Sequence, residues 1–193
     1  AVNAFVQPVV AKYLKKLETD LGTTGSRAKL SIMRGNGGMA APDIAQTEPA
    51  NLVLSGPAAG AMAAAALGKA AGYTNLISCD MGGTSFDVSL IVDGHPTISH
   101  QKDIAYSIPL RMPLVDIHTI GAGGGSIAKV DAAGILSVGP ESAGAKPGPI
   151  CYGIGGQKPT VTDANLLLGR INPELLPLGK AKVNFGAIKK IFK

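Results

Sequence analysis

Residues 76–92, Leu-Ile-Ser-Cys-Asp-Met-Gly-Gly-Thr-Ser-Phe-Asp-Val-Ser-Leu-Ile-Val, constrain this chain more than any other stretch. Residues 76–79 form a short apolar run, the pattern of a buried strand. Asp80 stands at its end. Gly82 and Gly83 let the backbone turn sharply and approach a ligand with no Cβ in the way. Thr84 and Ser85 add hydroxyls, Asp87 follows, and residues 88–92 resume as a strand. Asp93-Gly94 is a hairpin turn signal, so residues 96–99 can return antiparallel.

Successive backbone N–H groups in a glycine turn make a concavity that binds anions. A phosphate held there brings Mg²⁺, which favours carboxylates, phosphate oxygens and water. Asp80 and Asp87 are placed to hold such a metal, directly or through water. An ordinary hairpin with a Gly-Gly turn is the competing reading. The combination of Asp, Gly, Gly, Thr and Asp between two strand-like runs favours phosphate. The turn at residues 82–85 is therefore expected at the carboxyl end of a strand, facing a groove.

The flanking chain alternates helix and strand. Residues 1–21 carry an apolar stripe at three-to-four spacing, Phe5, Val6, Val9, Val10, Tyr13, Leu14, Leu17 and Leu21, which predicts a helix with a core-facing side and a stop at Gly22. Residues 29–33 read as a strand, followed by Gly35-Asn36-Gly37-Gly38. That run is either a connection or the lining of a crevice at the ends of parallel strands. Ser55 is a predicted cap and Pro57 suits the first turn of a helix over 58–71. Its many small residues permit close packing, the expected role of Gly56 and Gly60, and Gly72 ends it. The order predicts an α/β fold with a mixed sheet.

Residues 100–114 are irregular, limited by Pro109 and Pro113. Over 115–121, alternation sets Asp116 and His118 on one face of a strand. The pair reads as metal ligands, as acid and base, or as a satisfied polar pair. The glycine run 121–126 then favours a binding loop, expected to border the same groove as residues 82–85. Residues 126–130 and 135–138 read as a hairpin around 131–134. Residues 139–158 read as a long Gly- and Pro-rich loop, in which Cys151 is expected to be structural, since nothing nearby would activate a thiol. A helix follows over 160–170, with Thr162 as predicted cap, Asp163 in the dipole-favoured first turn, residues 166–168 buried, and Gly169 and Pro173 closing it.

At 193 residues the chain can build one good core, drawn from aliphatic residues because aromatics are only 4% and Trp is absent. Cys79 and Cys151 form neither a disulfide framework nor a zinc motif, which suits a reducing cytoplasm. No apolar run has the length of a membrane span and no signal peptide is visible. The net charge of +5 reads as a solvated surface, without the basic and aromatic interleaving of a nucleic-acid binder.

Residues 80–89, Asp-Met-Gly-Gly-Thr-Ser-Phe-Asp-Val-Ser, resemble the phosphate motif of actin, hexokinase and heat-shock chaperone type ATPases. More narrowly the chain resembles the hydantoinase A / 5-oxoprolinase family. Four further stretches agree: 34–39 (Arg-Gly-Asn-Gly-Gly-Met), 55–60 (Ser-Gly-Pro-Ala-Ala-Gly), 119–126 (Thr-Ile-Gly-Ala-Gly-Gly-Gly-Ser), and 148–153 with 160–165 (Gly-Pro-Ile-Cys-Tyr-Gly and Thr-Val-Thr-Asp-Ala-Asn). Phe86 departs from the pattern, where a small hydroxylated residue is usual. The resemblance implies part of one lobe of an actin-like (ribonuclease H-like) ATPase, an internal fragment of a longer subunit. It divides as an α/β core with the phosphate hairpin over 1–100, a glycine-rich loop and hairpin insertion over 101–160, and a helix returning to the core over 161–193.

The implied activity is ATP-dependent hydrolysis of a small cyclic amide, hydantoin or 5-oxoproline in type, with a hydantoinase B-type partner. Asp80 and Asp87 would be catalytic and bind Mg²⁺. Gly82, Gly83, Thr84, Ser85, Gly123, Gly124 and Gly125 would bind ATP. Asn36, Asp116, His118 and Asp163 are candidates for a substrate or second site. The alternatives are an ATP-dependent ketone carboxylase subunit, an actin-like kinase, and a non-catalytic structural domain.

Overall fold

The computed structural model describes residues 1–104, 108–175, 183 and 185–191. The chain divides into two compact units. Unit 1 comprises Ala1–Ser78 and Val88–Ile117, and unit 2 comprises Cys79–Asp87 and His118–Lys193. These breaks fall inside the hairpin strands. The turn-side ends of the hairpin join the glycine run after 118 through the backbone bonds described below.

In unit 1, helix α1 (Val2–Thr23) runs one residue past the expected stop, and Thr24 caps it by donating to the carbonyls of Leu21 and Gly22. Its apolar stripe is not core. Only Leu14 is buried, while Phe5, Val9 and Tyr13 are 84%, 72% and 63% exposed. The reason is that within unit 1 α1 packs on small elements, helix α2 (Pro42–Thr47) and a 3-10 turn at Pro49–Leu52. Asn3 ties it there, donating to Thr47 O at 2.9 Å and accepting from Ala50 N at 3.1 Å.

Strand β1 (Ile32–Met33) begins later than expected and pairs antiparallel with β2 (Met39–Ala40). Residues 34–38 are thus a hairpin turn, not the rim of a parallel sheet. Helix α3 (Ser55–Ala70) starts from Leu54, which adopts a left-handed conformation with φ 58°, so Ser55 is the first helical residue and not the cap. Ala58 and Ala61 form a core cluster with Val115 and Ile117. At Gly68 a Cβ would collide with the Leu76 side chain, so glycine is what permits that approach, whereas a Cβ on Gly56 would meet nothing within 4 Å. The expected packing role of Gly56 is therefore not observed.

Strands β3 (Leu76–Met81) and β4 (Phe86–Val92) flank the central turn. β3 is last in the sheet order β10-β4-β3, where β10 is His118–Ile120. Ile77 and Cys79 are exposed, so β3 is not the fully buried strand its apolar run suggested. After β4, Asp93 and Gly94 both take positive φ, 52° and 79°, which matches the twist a two-residue hairpin needs. The return is split: β5 (His95–Pro96) pairs with β4, and β6 (Ile98–Ser99) pairs with β9 (Leu114–Val115). Thr97 makes the switch, donating to Leu90 O and accepting from Asp116 N. Between them β7 (Lys102–Ile104) pairs antiparallel with β8 (Ile108–Leu110), in a stretch expected to be irregular.

Unit 2 contains the antiparallel pair β11 (Ser126–Val130) and β12 (Leu136–Ser142). Asp131 closes their turn, its Oδ1 accepting from Ala133 N and Ile135 N. β12 continues well past the predicted 138, which shortens the long loop. Helix α4 (Val161–Leu167) is capped by Thr160, not Thr162, in a reciprocal box with Asp163. Leu166 is buried with Ile150, Cys151 and Ile188, the last from helix α5 (Phe185–Ile191). Leu168, expected in the core, is exposed because α4 has ended by then. Residues 192–193, the end of the predicted last helix, lie outside the described residues.

Asp163 organises this core. Its carboxylate is fully buried and accepts from Cys151 N (2.7 Å), Thr160 Oγ1 (2.7 Å), Thr160 N (3.0 Å) and Ile150 N (3.2 Å). Such an acceptor has only donors around it. Asp163→Asn should therefore destabilise the protein as well as Asp163→Ala, because the amide NH₂ would face N–H groups. Loss of about 3 kcal/mol or more is expected for each, since hydrogen bonds to a charged group are worth more than neutral ones. Urea unfolding midpoints close to wild type for Asp163→Asn would refute this account.

Candidate functional site

The turn between β3 and β4 is held from one side. Gly82 N donates to Ser85 O at 2.9 Å and closes the turn. The carbonyls of Gly82, Gly83 and Thr84 accept from the N–H groups of Gly124 (2.9 Å), Gly125 (2.6 Å) and Gly123 (3.2 Å). Ser126 Oγ adds a longer contact to Thr84 O at 3.4 Å. With three successive carbonyls directed at residues 123–125, the N–H groups of Gly83, Thr84 and Ser85 are left. No described residue of unit 2 accepts from them. Free N–H groups in a glycine turn are the kind of donor that can bind an anion.

Glycine is needed for different reasons on the two sides. At Gly123 a Cβ would lie 2.5 Å from Ser85 N and 2.6 Å from Thr84 N. At Gly124 it would be 2.8 Å from Thr162 Oγ1, and at Gly125 2.9 Å from Gly83 O. Gly123 and Gly125 are required by the turn they press against, and Gly124 by Thr162. A Cβ at Gly83 would meet nothing within 4 Å, and at Gly82 only Ser85 O at 3.7 Å. Neither has a positive φ. Nothing within unit 2 therefore demands glycine at 82 or 83, and the space before them is open.

Both turns line one cavity of about 560 Å³, as expected. Gly82, Gly83 and Thr84 form one part of its wall, with Gly124 and Gly125 beside them. However, the N–H groups of Gly123, Gly124 and Gly125 are engaged with the turn, so these residues brace it and do not offer donors to a ligand. The opposing wall comes from α4 and the chain before it, with Thr162, Asn165, Pro149, Tyr152 and Ile171. Thr162 is fixed, since its N–H and its hydroxyl both donate to Gly124 O at 2.8 Å. Asn165 and Tyr152 were not singled out from sequence. The available signal was the i, i+3 spacing of Thr162 and Asn165, which sets them on one helix face.

Asp80 is exposed near the end of β3, and Asp87 is half-buried in β4. Thr119 Oγ1 donates to Asp87 Oδ1 at 2.6 Å and holds that carboxylate. His118 and Asp163 are not part of this cavity lining, and Asn36 and Asp116 belong to unit 1. Asn36 lies in the β1–β2 turn of unit 1, its Oδ1 accepting from Gly38 N. Asp116 and His118 do not share a strand, because β9 ends at Val115 and β10 begins at His118. Asp116 belongs to unit 1, 3.9 Å from Lys102 Nζ. Among the described residues no three or more His, Cys, Asp or Glu side chains gather to hold a metal. Asp163 is structural, as above.

Cys151 is fully buried. Burial, reinforced by the Asp163 carboxylate, pushes its thiol up to about 12. Burial first, then the neighbouring Cys151 and Asp163, raise the Tyr152 phenol, which stays neutral and able to donate. Cys79 is exposed.

Two outcomes follow from this geometry. Gly123→Ala should destabilise by about 1–3 kcal/mol through overpacking, while Gly83→Ala should leave the thermal midpoint unchanged. Equal midpoints for the two variants would contradict the division of roles. Thiol titration with a disulfide reagent at pH 8 should find Cys79 reacting fast and Cys151 only after unfolding. Two fast thiols in the native protein would show that Cys151 is not protected.

A family model described as Hydantoinase/oxoprolinase matches residues 1–193. The chain is 41% identical over 184 residues to the caprolactamase subunit alpha of Pseudomonas jessenii, covering 95% of this chain and 26% of that protein. The crystal structure of the ATP-dependent caprolactamase from the same organism superposes with a TM-score of 0.82 at 39% identity, over 99% of this chain and 28% of that one. The nucleotide-free structure of an ATP-dependent acetone carboxylase gives a TM-score of 0.78 at 32% identity, over 93% and 25% of the two chains. The chain thus spans about a quarter of the length of these relatives.

Proposed function

The chain belongs to the hydantoinase/oxoprolinase family, and on that premise we propose that the turn at residues 82–85 receives the terminal phosphates of ATP. In the whole protein, this would serve hydrolysis of a small cyclic amide. One observation carries the reading. Gly83, Thr84 and Ser85 present N–H groups without acceptors in unit 2, beside glycines that only an approaching ligand would require. Phosphoryl transfer is mostly positioning and charge neutralisation, and a braced backbone nest supplies both without rearranging.

Asp80 and Asp87 are the residues that would hold Mg²⁺. An exposed carboxylate and a half-buried one, flanking the nest without a third protein ligand among the described residues, fit a cation that keeps waters and takes phosphate oxygens. When bound, Mg²⁺ neutralises charge on the phosphates. Thr119 keeps Asp87 in its orientation. The cavity of about 560 Å³ is of the size that small ligands use. Activation of an amide carbonyl by phosphorylation, followed by opening with water, is the reaction class. A partner subunit of the hydantoinase B type would complete it, in line with a relative that is itself named as a subunit.

The likeness to acetone carboxylase supports a second reading, in which the oxygen activated belongs to a ketone. The two separate by whether ADP release depends on a cyclic amide or on a ketone with bicarbonate.

In the whole protein, Asp80→Ala and Asp87→Ala should each reduce amide-dependent ATP turnover by about a hundredfold or more, since small misplacements of reacting groups cost that much. Circular dichroism and thermal midpoints should stay near wild type, because neither side chain is buried. Full turnover in either variant would remove that residue from the site.

A further inference from the structure

We propose that Asn165 recognises the cyclic amide itself, pairing at once with its N–H and its carbonyl. This rests on the hydrolase reading above and names the residue that selects the acceptor. In-line transfer needs the accepting oxygen about 3–3.5 Å from phosphorus. The acceptor must therefore sit in the cavity that the nest borders. The wall available to it comprises Pro149, Tyr152, Ile171, Thr162 and Asn165. The first three are largely apolar and suit ring methylenes. The Thr162 hydroxyl is already donated to Gly124 O. Asn165 is one turn further along the same face of α4 and, among the described residues, is the one carboxamide in the lining.

The chemistry of a carboxamide matches a ring amide. A ring forces the amide cis, so its N–H and C=O lie on the same edge. Open-chain secondary amides are trans, because cis costs about 2.5–4 kcal/mol, and show the two groups on opposite edges. Asn165 presents an acceptor and two donors. Its Oδ1 already receives a long contact from Arg170 Nη1 at 3.4 Å, and Arg170 N donates to Asn165 O at 2.9 Å. These leave one Oδ1 lone pair for the ring N–H and an Nδ2–H for one lone pair of the ring carbonyl. The carbonyl's other lone pair remains for reaction. In the step, the amide oxygen forms a bond to the γ-phosphorus of ATP. The bond from that phosphorus to the β,γ-bridging oxygen breaks, and ADP leaves with the electron pair. Positive charge then grows on the ring nitrogen. The N–H to Oδ1 bond strengthens as it does, which stabilises the transition state more than the ground state.

The test uses the whole protein with its partner subunit and reads ADP release. The substrate is whichever of caprolactam, 5-oxoproline and hydantoin turns over fastest, compared with the derivative methylated on the amide nitrogen. Wild type should reject the methylated ring by about 10- to 100-fold in kcat/KM, because Oδ1 loses its donor. Asn165→Leu should lower kcat/KM for the parent by a similar factor and abolish the discrimination. Its affinity for ATP, measured by calorimetry, should be unchanged. If the variant still rejects the methylated ring, or loses ATP affinity, Asn165 does not read the amide and the proposal is overturned while the hydrolase reading stands. If wild type releases no ADP with any cyclic amide, the hydrolase reading itself fails, and this assignment with it.

Discussion

Three backbone hydrogen bonds, from the N–H groups of Gly123, Gly124 and Gly125 to the carbonyls of Thr84, Gly82 and Gly83, set the candidate site. Peptide groups have two ends. Fixing three successive carbonyls on one side commits the adjoining N–H groups to the other. The free amides of the turn are therefore a consequence of how the second glycine run supports the first. Thr162 extends the same support, because both its donors meet the carbonyl of Gly124. Asp163, next along α4, anchors the helix by gathering the N–H groups of residues 150 and 151. The support continues through side chains and backbone from the buried core of unit 2 to the edge of the cavity.

This arrangement separates two kinds of glycine that look alike in sequence. Gly82 and Gly83 are unconstrained by their neighbours in unit 2, since a Cβ would meet nothing within 4 Å at Gly83 and only Ser85 O at 3.7 Å at Gly82. Gly123, Gly124 and Gly125 are constrained on all three counts by backbone or by Thr162. A ligand-facing role was expected for both runs. The second run takes a structural role, since a donor already bonded to a carbonyl at 2.6–3.2 Å has nothing left for phosphate.

Periodicity reports which side chains want burial, not whether a neighbour exists to bury them. The stripe of α1 is regular, yet within unit 1 the helix meets only a short helix and a turn, so Phe5, Val9 and Tyr13 stay exposed. The same applies to Ile77 in β3. Cap residues were misplaced because capping depends on backbone geometry. Leu54 starts α3 by adopting a left-handed φ, and Thr160 outcompetes Thr162 because only its hydroxyl reaches the N–H of residue 163.

Local chemistry in the sequence determined the family, the α/β class, the hairpin over 76–92, the Asp-Gly turn after it, and the pairing of two glycine runs around one groove. Each follows from neighbours in the chain or from motifs short enough to read directly. Only the tertiary structure decided which amides are free, that Asp163 is a buried acceptor, that Asp116 lies between β9 and β10 while His118 begins β10, and that Asn165 lines the cavity. These depend on partners distant in the chain, as when Gly125 meets Gly83, or Asp163 meets Cys151 12 residues away. A hydrogen bond removes a donor from use regardless of sequence distance, and linear pattern carries no record of which donors have been taken.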